Sequence, residues 1–353
     1  MKLLFLLFSF SIQLSLYAQQ DSVKTVYNAT YDSLSRMLKN DSLLSFKKAV
    51  FFTENAYVMN HMEFNKFDSY VKELTVIILA WMKENPIKNY PHSDSINFHK
   101  NWGLYKFMKD TIRFIDNNQK MFQLLPYTYD FTDFFGREDW GYMFITKLLA
   151  THKGNCHSLP YLYKILADEI GATCWLALAP NHMYISNRCK KIGWYNTELT
   201  SGSFPIDAWI MASGYLPLQA VQNGIYMDTL SNRQSIALCI LDLAKGYEHK
   251  IHDYYDGFIL KCCDLSLQYF PLNVQAMLLK AETLKRIYEK EKLQKVSTAK
   301  ETYHQMEQLY VKLFDLGYRE MPDKMYQQWL LSVVKERDKY SNKKLTDAIQ
   351  ENK

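Results

Sequence analysis

Lys153-Gly154-Asn155-Cys156-His157-Ser158-Leu159-Pro160 reads as a polar turn that runs into a helix. Behind it Leu159, Leu162, Leu166 and Ile170 fall on one helical face, and Gly171 is a good helix stop. Asn155 suits an N-cap, and Pro160 is tolerable only in a first turn. The pattern predicts a buried helix with Cys156 at its very start. That location matters chemically, because unpaired N–H groups and the positive helix end favour a thiolate over a thiol. The same N–H groups can hold an oxyanion.

A thiolate also needs a base, and the first strong one downstream is His182. It follows Ala179-Pro180-Asn181 and opens an alternating run, His182 to Ser186. Thr173 to Ala179 is a short apolar strand bounded by Gly171 and Pro180, and Gly193 to Glu198 alternates again. With the polar turn Asn187 to Lys191 between them, the last two runs form an antiparallel hairpin. A turn centred on Cys189 sets Asn196 opposite His182 and Glu198 diagonal to it on the same face. Either the Asn196 amide or the Glu198 carboxylate then orients the ring. Nucleophile, base and orienter are what thiol acyl transfer requires.

Outward from this centre the chain is helical. Leu34, Met37 and Leu38, then Leu43, Leu44 and Phe46, then Val71, Leu74, Ile77 and Ile78 recur at three- and four-residue steps between Asp21 and Glu84. A second helical stretch is expected from about Ser95 to Asn118, a loop from Tyr127 to Gly136, and helix from Trp140 to Thr151. From about Asn232 helix returns. Pro271-Leu272-Asn273 punctuates it, and Ala276, Leu279, Ala281 and Leu284 follow. Helix pairs broken in this way resemble tetratricopeptide repeats, with an ordinary helical bundle as the other reading. Charge-rich residues 290–300 and 336–353 are expected to be solvated or frayed.

Composition excludes some classes. With 48% hydrophobic and 15% aromatic residues the chain is not disordered. A net charge of +5 is too mild and scattered to imply nucleic acid. Lys2, the short apolar run from Leu3 to Leu16 and the small Ala18 form a secretory signal. Cleavage after Ala18 then leaves an exported chain, periplasmic or extracellular, without an integral membrane span. The six cysteines do not match a zinc ribbon or a disulfide-rich small domain. His152 and His157 flank Cys156 without ligand spacing, so neither a metal nor a cofactor is expected. Adjacent Cys262 and Cys263 read as core packing.

Gly154-Asn155-Cys156-x-Ser158-Leu159-Pro160, Ala179-Pro180-Asn181-His182-Met183-Tyr184-Ile185 and Asn196-Thr197-Glu198-Leu199-Thr200 together resemble the core of the transglutaminase-like superfamily. The likeness is to its bacterial branch, often fused to tetratricopeptide-like helices. It covers residues 127–204, about a quarter of the 353. It implies an α+β fold: a papain-like core, with the Cys helix packed on a small antiparallel sheet, flanked by helical regions. Residues 1–18 are then the signal, 19–120 an N-terminal helical region, 121–231 the core and 232–353 a tetratricopeptide-like region. The resemblance makes Cys156 the nucleophile and His182 the base. It sets Glu198, in Glu-Leu-Thr, at the family's Asp-Pro-Thr position. Tyr129 and Trp140 are candidates for the oxyanion donor, although neither lies in a motif. The substrate class implied is a peptide, protein or cell-wall amide. The alternative is a catalytically degenerate scaffold that binds a protein partner through its C-terminal helices.

Overall fold

The computed structural model describes residues 2–115, 120–335, 339 and 341–350; of residues 2–19, 333, 334, 346 and 348–350 it describes the backbone alone. The chain begins with helices α1 (Lys2–Lys39), α2 (Phe46–Tyr57), α3 (Phe64–Glu84) and α4 (Ser95–Lys109). Strands β1 (Ile112–Ile115), β2 (Met121–Leu124) and β3 (Thr128–Tyr129) lead to α5 (Ile145–Thr151), β4 (Lys153–Gly154) and α6 (Ser158–Glu169). Then come β5 (Trp175–Ala179), β6 (His182–Cys189), β7 (Gly193–Thr197), α7 (Asp207–Ser213) and α8 (Leu218–Gln222). The rest is helical: α9 (Asn232–Ile251), α10 (Phe258–Tyr269), α11 (Val274–Gln294), α12 (Ala299–Asp315), α13 (Asp323–Lys335) and α14 (Lys343–Gln350). The architecture is thus α+β, mostly helical with small sheets. Among the described residues no helix is long and apolar enough to cross a membrane. The side chains of the expected signal, 1–18, lie outside the described residues.

The compact units cut across the linear order expected from sequence. One joins Met1–Glu63 to Asn232–Val311, and the other joins Phe64–Ser231 to Lys312–Lys353. In the first unit α1 and α2 pack on α9, and α9 on α10. Tyr27, fully buried, meets Tyr247 and Phe258 edge-on. The Thr53 hydroxyl donates to the Cys239 carbonyl at 3.2 Å, tying α2 to α9. Asn273 caps α11 by accepting from the Ala276 N–H at 3.2 Å. Cys262 and Cys263 are fully buried, as core packing requires, and all six cysteines are free thiols.

The second unit is built around α6, whose residues from Ser158 to Ala167 are all buried. It packs on β5 and β6 and is flanked by α3, α4 and α5. Burying a helix on every side needs an apolar circumference, and Leu159, Leu162, Ile165 and Leu166 supply it. The Tyr163 hydroxyl, caught inside, donates to the Asn101 carbonyl of α4 at 2.9 Å. β5, β6 and β7 form one antiparallel sheet in sequence order. Pro180 and Asn181 make the two-residue turn that pairs Ala179 with His182. Asn181 takes the left-handed backbone (φ 54°), which asparagine tolerates better than most residues.

Three local expectations change. The expected helix 95–118 ends at Lys109, and β1 pairs antiparallel with β2 instead, Ile112 facing Leu124; residues 116–118 lie outside the described residues. The apolar steps of the helix continue into Ile112, so periodicity alone did not mark the boundary. Within the expected loop 127–136, Thr128 and Tyr129 pair in parallel with Lys153 and Gly154. The helix expected over Trp140–Thr151 divides into a 3-10 turn, Trp140–Met143, and α5.

The tail is also different where it is described. Residues 336–338, 340 and 351–353 lie outside the described residues, but Ser341 bridges Pro205 and the Asn342 N–H donates to the Phe204 carbonyl at 2.7 Å. Leu345, only 1% exposed, fills a cluster with Tyr90, Phe98, Tyr195 and Phe204. The charges around it hid one buried anchor. Leu345→Ala is expected to destabilise the chain by about 2 kcal/mol, because the cavity adds to the lost transfer energy. Urea unfolding of the two proteins measures it; an unchanged midpoint would show the tail unattached.

Candidate active site

The turn that carries Cys156 is fixed from two sides. Upstream, β4 is held in register by β3. Downstream, the Asn155 carboxamide oxygen accepts from the His157 and Ser158 N–H groups, each at 3.0 Å. Asn155 Nδ2 reaches the other way, to the Phe134 and Tyr142 carbonyls at 3.2 Å each. α6 begins at Ser158 with His157 in the cap position, so Asn155 stands further out than expected of a cap, yet its side chain satisfies two N–H groups at the helix start and staples the turn to the preceding loop. That loop is itself organised by Asp133, whose carboxylate accepts from the N–H groups of Arg137, Glu138 and Asp139. Gly154 leaves room for this packing, since a Cβ there would sit 2.6 Å from Ser158 Oγ and 2.8 Å from Leu148 Cδ1. Cys156 ends up just ahead of the helix and 6% exposed.

His182 enters from the sheet as the first residue of β6. The Asn181 carbonyl before it lies 3.6 Å from the Cys156 sulfur and accepts from the thiol. One ring nitrogen, Nε2, shares a short hydrogen bond with Glu198 Oε2. The other, Nδ1, is buried and makes no fully formed hydrogen bond, and the ring is close enough to the Cys156 sulfur for the two to influence each other's ionisation. Glu198 is 3% exposed. Its second oxygen accepts from the Thr200 N–H at 2.7 Å, and its backbone closes a bridge with Ser203. The structure therefore joins His182 to Glu198 and sets the Cys156 sulfur against the residue that precedes His182, within electrostatic reach of its ring.

Asn196 does not join them, which corrects one expectation. The hairpin register pairs Ser186 with Asn196 and Cys189 with Gly193, so the turn is centred on Lys191 rather than Cys189. Gly193, at φ 86°, supplies the left-handed residue that a three-residue hairpin loop needs. The shift carries Asn196 away from His182 while Glu198 stays diagonal to it. Asn196 Nδ2 instead donates to the Pro205 carbonyl at 3.1 Å and to Asp207 Oδ1 at 2.7 Å. The flanking imidazoles are also occupied elsewhere: His152 Nδ1 contacts the Leu125 carbonyl and His157 Nδ1 the Met143 carbonyl.

The electrostatics favour a thiolate–imidazolium pair. Burial opposes ionisation of the Cys156 thiol, but the hydrogen bond and charge of His182, with help from the Tyr326 hydroxyl, pull it below its ordinary value. Burial likewise pulls the His182 imidazolium down. The Glu198 carboxylate and the Cys156 sulfur outweigh it and hold the ring up at about 10. Burial raises the Glu198 carboxyl, yet His182 and the Thr200 N–H bring it below its usual range. The contrast with other buried thiols is direct: burial pushes Cys174 and Cys263 up to about 12.

Two residues that sequence reasoning did not single out complete the site. The Tyr326 hydroxyl of α13 donates to the Cys156 sulfur at 3.2 Å. Trp329, one helical turn on, stands edge-on to the His182 ring at 4.7 Å. Their i, i+3 spacing in Met325-Tyr326-Gln327-Gln328-Trp329 is the one available signal, and it reads equally as an apolar helix face. Of the two oxyanion candidates, Tyr129 lies beside the sulfur and Tyr326, and burial raises its phenol well above the usual value. Its hydroxyl is buried without a hydrogen-bond partner. Trp140 is buried in the 3-10 turn ahead of α5.

No family model matches the chain, and no curated protein matches it. Among solved structures the chain is similar to the crystal structure of menin, a structure described as revealing the binding site for the Mixed Lineage Leukemia protein, with 13% sequence identity and a TM-score of 0.37 over 93% of this chain and 78% of that one.

Proposed function

We propose that this chain is a transglutaminase-like thiol protein whose papain-like core performs acyl transfer on a peptide, protein or cell-wall amide. The observation that carries the reading is the contact line Cys156–His182–Glu198, with a thiol held below its ordinary pKa inside the core. Cys156 is the nucleophile. Its sulfur attacks the amide carbonyl and an S–C bond forms. The C–N bond breaks as the His182 imidazolium gives its proton to the departing amine. Water then attacks the thioester, the imidazole takes a proton from it, and the S–C bond breaks to release the acid and restore the pair. Glu198 holds the ring through Nε2, so that Nδ1 works at the sulfur. Hydrolysis is the reading preferred over crosslinking, since nothing in the sequence marks an amine acceptor pocket. An exported chain, as the signal-like residues 1–18 suggest, would meet such substrates outside the cytoplasm.

The test is alkylation by iodoacetamide across pH, followed by peptide mass spectrometry. Cys156 is expected to react with a pH midpoint below the ordinary thiol value of about 8.5. Cys174, Cys239, Cys262 and Cys263, which burial pushes up, are expected to react only after unfolding. A Cys156 that labels no faster than these, or with an ordinary midpoint, would sink the activated-thiol reading.

The second reading, a degenerate scaffold that binds a partner through tetratricopeptide-like helices, is favoured by one observation. The sulfur is only 6% exposed, beneath Tyr326. Under it Cys156→Ala leaves the phenotype intact, whereas deletion from Asn232 onward abolishes it.

A further inference from the structure

We propose that α13 sits in the acyl-substrate cleft as an internal ligand, and that the external ligand is a peptide segment bearing two aromatic side chains three residues apart. The inference rests on the thiol-chemistry reading above and names the substrate class for that same site.

The cleft is lined with aromatic rings and α13 fills it with two more. Tyr326 is fully buried and packs on Phe135 and Phe134, at 4.9 and 5.7 Å between centroids. Its hydroxyl donates to the sulfur from the α13 side at 3.2 Å. Trp329 covers the His182 ring and stacks toward Trp209 at 6.3 Å. The main chain takes part as well, because the Met321 carbonyl accepts from Asn181 Nδ2 at 3.2 Å, next to the catalytic pair. Aromatic rings plus a backbone carbonyl held by an asparagine side chain are what a peptide ligand would present to this cleft. An acyl group cannot approach the sulfur while Tyr326 stays in place. Substrate and α13 therefore compete for one surface.

The attachments of α13 suit a strap that lifts. Before it, the Asp315 carbonyl accepts from Gln219 and Asn223, and Gly317 packs on the Ala220 backbone. After it, Asn342 and Leu345 are anchored on the Phe204 side. Both anchors are independent of the cleft, so displacement costs only the contacts of α13 itself. Over the first turn the hold is an exposed clasp, Arg137 to Asp323. Beside that turn a cavity of about 560 Å³, lined by Met211, Tyr215, Met321 and Met325 among others, leaves space for it to shift. The Tyr129 hydroxyl of the cleft is buried without a hydrogen-bond partner, and so is Trp329 Nε1 on α13 itself, so strap and cleft are imperfectly matched. An external segment that pairs the Tyr129 hydroxyl would bind better.

The experiment measures the iodoacetamide labelling rate of Cys156 in the full-length protein, in Asp323→Ala and in Trp329→Ala. Each is measured alone and with a synthetic peptide of residues 321–335 or the same peptide with its Tyr and Trp replaced by Ala. Release of the exposed clasp is expected to raise the rate by roughly threefold, and loss of the Trp329 ring by about tenfold or more, as the open population grows. The aromatic peptide is expected to restore protection in both variants, and the Ala-substituted peptide to leave the rate unchanged. Equal rates in all three natively folded chains would overturn the strap. Faster labelling that the aromatic peptide fails to slow would overturn the ligand class. Asp323, about half exposed, carries the test should the Trp329 variant not fold. The pH midpoint separates this proposal from the one beneath it. Opened variants that label faster with an ordinary thiol midpoint would leave the strap standing and remove the activated thiol; a low midpoint with unchanged rates would do the reverse.

Discussion

Glu198→Gln is expected to slow Cys156 alkylation at about pH 6 by tenfold or more and to move its pH midpoint upward. The carboxylate is the main charge that holds the His182 imidazolium against burial. An amide of the same shape can still accept a hydrogen bond, but it carries no charge. The ring then loses its proton at lower pH, and with it goes the cation that pulls the thiol down. One unit of upward shift in the thiol is about a tenfold loss of thiolate on the acid side of the midpoint. The same change is expected to reduce stability by about 3 kcal/mol, since it breaks a buried ion pair without replacing its attraction. The pH dependence has a definite sign. Glu198 is depressed in the fold, so its contribution is present above the ordinary carboxylate range and disappears as pH falls through the folded value. His182 is raised, so its contribution is complete below the ordinary value of 6.5 and is lost as pH climbs through about 10. The stability gap between the two proteins should be widest near about pH 5.5 and close toward pH 10. Urea midpoints at three pH values measure it. A gap that stays constant would mean that the pair is not ionic in the fold.

The turn that carries Cys156 was legible because its capping and sterics are local. Gly154, Asn155, Ser158 and Pro160 each have a reason that depends on neighbours within a few residues, and capping and sterics operate at that range. His182 was legible because it opens a strand after a Pro-Asn turn. Glu198 was reached by way of a wrong register. The two-residue shift in the turn centre does not change which face a residue occupies, so the diagonal partner survived while the direct one, Asn196, did not. The β1–β2 hairpin was illegible for the opposite reason. Ile112, Phe114 and Ile115 prolong the apolar pattern of α4, and pairing with Met121–Leu124 rather than propensity decides the matter.

What sequence could not supply is the partner above the sulfur. Tyr326 meets Cys156 across 170 positions. Its own segment shows only an amphipathic helix, and nothing local says what the apolar face covers. The same holds for Leu345, a single apolar anchor in a charged tail. Long-range partnerships of this kind also explain why the compact units ignore the linear order. The segment from Lys312, where described, returns to the unit of Phe64–Ser231, and the helices from Asn232 to Val311 join the N-terminal pair.

Asn155→Ala should be nearly as damaging as the loss of Glu198, although Asn155 does no chemistry. Its oxygen satisfies two N–H groups at the start of α6, and cap loss of this kind costs about 1 kcal/mol. Its nitrogen is the donor to the Phe134 and Tyr142 carbonyls, and each acceptor left buried without a partner costs about 1 kcal/mol or more. The expected sum is about 3 kcal/mol, read as a fall in the urea midpoint at constant slope. Asn155→Asp separates the two halves. It keeps the oxygen that accepts from the helix N–H groups but sets a second oxygen, in place of the donor, against the Phe134 and Tyr142 carbonyls, so at most the cap share, about 1 kcal/mol of the 3, should return. The chemistry should move the other way. A carboxylate one residue from the sulfur opposes the thiolate, and the alkylation midpoint should rise above that of the native protein. A stable Asp variant with an unchanged midpoint would mean that the charge does not reach the sulfur. A fully stable Ala variant would mean that the turn is held by β3 and β4 alone.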